Sequence, residues 1–257
     1  MKVLLTILLI FCAILVDAKT ITGEIKKETT EKNTIFDMEN NLPLEGVTVK
    51  IPSKHYKTKT DRNGTFELRT NINAPTIMAL EKNGYKPYSM TIGTNNNSDI
   101  LNIGIEKTTP KDIIVETNMI HIGDDSFSEN SANAEDFSIK SVGAFFSKDF
   151  QIKSIKSDEE LFIKIGSIIG IDTVESQQMG QSHVKTAYSS APELFFNGNK
   201  IADIKINGDN QKIKVPFGLI KVNQKNNITI KTGRNLYKIS SIDYDDIEFT
   251  NLLLEIK

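Results

Sequence analysis

Two groups of acidic side chains stand out in the second half of the chain: Asp124-Asp125, and Asp243 with Asp245 and Asp246. Carboxylates brought close together repel, and a hard cation such as calcium relieves the repulsion by taking roughly 6 to 8 oxygen ligands. In the alternative account each Asp caps a turn by accepting backbone N–H groups, with no ion. A second set is aromatic. Tyr188, Tyr237 and Tyr244 sit among polar neighbours, and Arg234-Asn235 stands close to Tyr237. An aromatic face flanked by planar hydrogen-bonding groups is the equipment that grips a sugar ring. The plainer account packs each tyrosine on a loop rim and lets Arg234-Asn235 cap a turn. The absence of Trp weighs against sugar.

Catalytic equipment is sparse. His55, His121 and His183 lie far apart in unlike contexts, and no Gly-x-Ser-x-Gly is present, so no nucleophile and base are paired by spacing. The chain is therefore expected not to be an enzyme. His121, although near an acidic group, prefers softer partners than calcium sites offer and is expected to pack or hydrogen-bond locally.

The first residues have another purpose. Lys2 is followed by an unbroken apolar run from Val3 to Val16, then Asp17 and Ala18. A charged start, a short hydrophobic core and small residues at Val16 and Ala18 describe a secretory signal peptide over 1–18. The protein is thus expected to be exported, whether periplasmic, on the cell surface or secreted. Cys12, the single cysteine, falls within the leader, which leaves the mature chain without thiol or disulfide. Nothing later is long and apolar enough for a transmembrane segment. A net charge of −2 with no basic stripe argues against nucleic acid as a partner.

The elements that must position these groups are strands. From Thr20 onward, short β-branched or aromatic runs alternate with clusters of Asn, Gly, Asp and Pro. Val47, Val49 and Ile51 recur at period two, as do Leu101, Ile103 and Ile105, each set suited to burying one face. Turns are expected at Asp61-Arg62-Asn63-Gly64, Asn83-Gly84 and Asn197-Gly198, where Asn tolerates and Gly supplies positive φ. In the second half, strands are expected over 112–120, 146–152, 161–165, 212–215, 228–231 and 247–256. In the last of these the apolar face runs Ile247, Phe249, then Leu252, Leu254, Ile256, so the parity slips near Asn251 and a bulge is expected there. Pro110, within Thr108-Thr109-Pro110-Lys111, interrupts the pattern and marks a boundary between units at 19–108 and 109–257.

Four motifs in order carry a resemblance for the first unit: Ile21-Thr22-Gly23, Leu42 to Val49, Thr60 to Phe66, and Gly84-Tyr85-Lys86. These residues resemble a carboxypeptidase regulatory-like domain. The resemblance implies a transthyretin-like, seven-stranded β-sandwich that acts as a structural or spacer module without catalytic residues. Between Lys26 and Asn41 this chain departs from the pattern with a longer polar loop. The second unit resembles a galactose-binding-like jelly roll on His121 to Ser126, Phe196 to Asn199, Asn227 to Ile230 and Asp243 to Phe249. That resemblance implies a carbohydrate-binding module, and a pairing of first and last strands that sets the strand before Gly123 beside the start of the strand at Ile247, bringing both acidic groups together. Residues 168–191, rich in Gln and Ser, depart from it as a long loop. The expectation is an all-β protein, a seven-stranded sandwich followed by a jelly-roll sandwich. It would bind glycan or another cell-surface polymer, or else build a surface assembly through protein contacts alone.

Overall fold

The computed structural model describes residues 32–72, 75–93, 100–123, 139–170, 191–232 and 247–257. Lys32–Lys257 form one compact unit. Among the described residues the helical pieces are two short 3₁₀ turns, Pro52–Lys54 and Phe217–Leu219, and the rest of the regular structure is strand.

Seven strands build the first sandwich: β1 (Asn33–Asp37), β2 (Thr48–Ile51), β3 (Tyr56–Lys59), β4 (Thr65–Phe66), β5 (Thr76–Glu81), β6 (Tyr88–Ile92) and β7 (Asn102–Ile105). They pair as a β4-β1-β7 sheet and a β3-β2-β5-β6 sheet. Ile35, Ile103, Ile105 and Phe66 from the first sheet meet Val49, Ile51, Met78 and Leu80 from the second in one core. β1 lies within the stretch expected as a long polar loop. Thr34 to Asp37 run parallel to Asn102 to Ile105 of β7, and Ile35 fills the core, so pairing and burial there outweigh the polar flanks.

The motif residues explain themselves in this frame. Thr60 Oγ1 accepts the Val47 N–H and donates to the Leu44 carbonyl, which ties the Pro43-to-Gly46 arch to the Asp61 turn. Asp61 Oδ1 accepts the N–H groups of Asn63 and Thr65. Gly64 has φ +71°, and a Cβ there would lie 2.5 Å from the Ile35 carbonyl oxygen, so β1 approaches this turn only because it carries glycine. The Tyr85 hydroxyl donates to buried Asp37, closing β1 onto the Gly84 turn.

The second sandwich contains β8 (Ile113–Glu116), β9 (Ile120–Ile122), β10 (Phe145–Gln151), β11 (Leu161–Gly170), β12 (Glu193–Phe196), β13 (Asn199–Asp203), β14 (Gly208–Lys214), β15 (Lys225–Lys231) and β16 (Ile247–Ile256). One sheet runs β14-β11-β16-β8, with β9 also on β16; the other runs β10-β15-β12-β13. Their inner faces share an apolar core containing Phe146, Ile163, Ile165, Leu194, Phe196, Ile228, Ile230 and Phe249. Asn197 and Gly198 have φ of 48° and 80°, the two positive values a tight hairpin between β12 and β13 requires. The strand expected over 112–120 is two strands. Glu116 Oε1 accepts the N–H groups of Thr117 and Asn118 and breaks the run between β8 and β9.

The parity slip at Asn251 has a wider cause than a bulge in one strand. Asn251 has φ 61° and lies opposite Gly166 of β11, where the apolar face also slips, from Ile165 to Ile168. Asn210 of β14, φ 53°, faces Gly166 from the other side. Three adjacent strands thus share one transverse crease, and the register between β16 and β8 shifts between Leu252 and Leu253. All ten residues of β16 are buried, because the second face of this sheet is covered by the first sandwich.

Candidate functional site

Six strand ends gather at one end of the second sandwich. In one sheet Ile122 pairs with Ile247, which pairs with Gly170. In the other, Phe145 pairs with Lys231, which pairs with Glu193. The two sheets meet there through the rings of Phe146 and Phe249, edge to face at 5.4 Å. The register places the strand before Gly123 beside the start of the strand at Ile247, the pairing that the jelly-roll resemblance implied. The segments 124–138, 171–190 and 233–246 all begin and end at residues of this rim. They contain every site residue read from the sequence: Asp124, Asp125, Tyr188, Arg234, Asn235, Tyr237, Asp243, Tyr244, Asp245 and Asp246. All ten lie outside the described residues.

What the structure describes is the base on which those segments stand. His121 is fully buried, and its Nδ1 lies 2.6 Å from the Ile139 carbonyl oxygen. A carbonyl only accepts, so Nδ1 carries the hydrogen in this contact. Val142 N–H donates to the His121 carbonyl, and Gly123 N–H donates to the Gly143 carbonyl. Residues 139–143 are thereby zipped along β9. The Ser141 hydroxyl adds a bond to the Gly123 carbonyl.

The sequence did not reveal a second feature, the joint between the sandwiches. The outward faces of β5 and β6 lie on the outward face of the β11-β16 sheet. Near the crease, a Cβ on Gly166 would fall against Ser89 Oγ and within 2.7 Å of Asn251 Cβ, so only glycine admits β6. Thr91 donates its N–H and hydroxyl to the Asp209 carboxylate. At the far end, buried Lys86 Nζ lies 2.8 Å from Glu255 Oε1 and 3.0 Å from Glu106 Oε2. Burial pushes the Glu255 carboxyl up, but the Lys86 ammonium, with Lys164 and Lys257 nearby, outweighs it and leaves the carboxyl at about 2. Burial lowers Lys86 in turn, and its carboxylate partners overcome that and hold it above its ordinary value. Such a pair has no periodic signature in a sequence, because its members are 169 residues apart.

With this geometry in place, comparison with known proteins adds three findings. Residues 21–115 match the family model of the CarboxypepD_reg-like domain. A curated L-aspartate dehydrogenase from Methanococcus maripaludis (strain C5 / ATCC BAA-1333) is 34% identical over 85 residues, 32% of either chain. The present chain thus spans about a third of the length of that relative. A crystal structure of a DUF3823 family protein from Bacteroides ovatus ATCC 8483 aligns over 87% of this chain and 97% of that one, at 11% identity and a TM-score of 0.21. At that score the likeness carries no argument.

Proposed function

We propose that this chain is an exported, non-catalytic binding protein whose second sandwich recognises glycan or another cell-surface polymer at the end where the six strand ends gather. The observation that carries this reading is the common origin of segments 124–138, 171–190 and 233–246. Tyr188, Arg234, Asn235, Tyr237 and Tyr244 lie in sequence between described residues of that one rim, and the ends of a rigid sandwich are where ligand-binding residues are commonly carried. The CarboxypepD_reg-like match supports the non-catalytic part, since the resembled modules hold no catalytic residues. The partial match to a dehydrogenase does not redirect the reading: no Gly-x-Gly occurs in the 257 residues, so a Gly-rich dinucleotide turn has no counterpart.

The acidic residues Asp124, Asp125, Asp243, Asp245 and Asp246 flank the paired ends of β9 and β16 and fit either a structural calcium ion or ion-free turn caps. Glycan-array binding by the mature chain with calcium, repeated with a chelator, tests the site and the ion together. The expected result is selective binding that Tyr237→Ala and Tyr244→Ala reduce. Silence across the array favours the second reading, assembly through protein contacts, which Val142 and Phe145 support as large hydrophobics left exposed near the same rim.

A further inference from the structure

The end of the second sandwich opposite the rim described above holds an apolar side chain rigidly in solvent. Between β14 and β15 the chain makes the 3₁₀ turn Phe217–Leu219. Val215 before it is buried, and Leu219 and Ile220 pack half-buried on the second core. Side-chain amides hold the rest. Fully buried Asn226 accepts the Lys221 N–H and donates to the Lys221 and Gln224 carbonyls, while Asn197 donates to the Leu219 carbonyl. Asn223 N–H donates to the Ile152 carbonyl, which ties the loop to the connection after β10. The loop is thus fixed from several sides, and the large apolar side chains it leaves out are Phe217, 52% exposed, and Val222, 37% exposed. A Cβ on neighbouring Gly218 would meet nothing within 4 Å, so the tip beside Phe217 is open.

We propose that this tip is a membrane-docking element that inserts Phe217 into the surface of an anionic lipid bilayer. The charge around it points to that partner. Lys153 follows Ile152, which is bridged to Val222, and Lys221 precedes Val222, so two lysines adjoin the exposed valine; Lys156 lies three residues further along. Among the described residues these three enter no ion pair, whereas Lys111, Lys214 and Lys225 at the same end are matched by Glu159, Glu160 and Asp149. Asp158 is the unmatched carboxylate in these connections. An anionic leaflet attracts unmatched lysines close to its surface, and an apolar side chain beside them adds affinity by entering the boundary between headgroups and acyl chains. A protein partner suits the tip less well, since two apolar side chains on an open turn fall far short of the roughly 800 Å² per side that a stable interface buries. This end is distinct from the one assigned to glycan, so either role stands without the other.

The chain contains no Trp, so Phe217→Trp in residues 19–257 creates a single tryptophan that reports its own surroundings. With vesicles of phosphatidylcholine mixed with phosphatidylglycerol, its emission is expected to shift to the blue and to be quenched by lipids brominated on the acyl chain. Phe145→Trp, an equally exposed position at the opposite end, is expected to show neither change. Cosedimentation of the unsubstituted protein with the same vesicles gives a second reading that needs no new side chain. Phe217→Ala, and Lys153→Gln combined with Lys221→Gln, are each expected to weaken it about tenfold or more. Absence of cosedimentation with the mixed vesicles, equal cosedimentation with phosphatidylcholine alone, or the same spectral change at positions 217 and 145 overturns the proposal. A Phe217 that seats in a protein instead gives the first of these results.

Discussion

β11 and β16 bury two faces of unlike chemistry. Toward the second core they present Ile163, Ile165, Ile168, Ile247, Phe249, Leu252 and Leu254, an unbroken apolar surface. On the other side, toward the first sandwich, buried Ser167, Glu248, Thr250 and Glu255 stand beside Ile169 and Leu253. The difference separates two tasks. Apolar contact stabilises in proportion to area and is nearly indifferent to small rotations of the partner. A buried carboxylate is satisfied only when specific donors or cations stand in specific places, so the polar groups fix how the sandwiches are set against each other. Among the described residues, the Ser89 and Ser167 hydroxyls and the Asn251 amide at the crease have no hydrogen-bond partner, and bridging water is the usual remedy for such groups.

Truncating the apolar face should cost most. Phe249 is fully buried and stacks edge-on to Phe146, so Phe249→Ala is expected to destabilise by about 3–5 kcal/mol in chemical denaturation. A loss below about 1 kcal/mol would mean that the two sheets are not held by this core.

The polar face should respond less, and with a pH signature. Glu255→Gln keeps the shape and removes the charge, and the expected loss is about 1.5–3 kcal/mol at neutral pH. The folded carboxyl sits near 2, below its ordinary value of 4.5, so its contribution is present above about 4.5 and disappears as pH falls toward 2. The wild-type chain should lose stability across that window more steeply than Glu255→Gln. Parallel melting curves for the two proteins between pH 5 and pH 2.5 would remove Glu255 from the account.

The same contrast shows what a sequence displays. Period-two apolar runs made β2, β7 and β16 legible, and Asn-Gly pairs marked the turns. β5 and β6 were not singled out, because Thr76 to Leu80 are buried on both faces and show no alternation. The slip at Asn251 was visible in one strand, whereas its partners Gly166 and Asn210 become meaningful only once three strands are side by side. Thr108 to Lys111, read as a break in the pattern, is a bonded turn: Thr108 N–H donates to the Gly84 carbonyl, Thr109 N–H to Asp112, and Lys111 pairs with Glu159. The site residues were named from their chemistry alone. The pairing of β9 with β16 was the one geometric expectation about them that fell on described strands.

The central structural claim is that the two sandwiches act as one body. Scanning calorimetry of residues 19–257 tests it most directly. A single transition whose calorimetric and van't Hoff enthalpies agree is the predicted result. Two separable transitions, with the second sandwich melting unchanged when Lys86 and Glu255 are both neutralised, would contradict it.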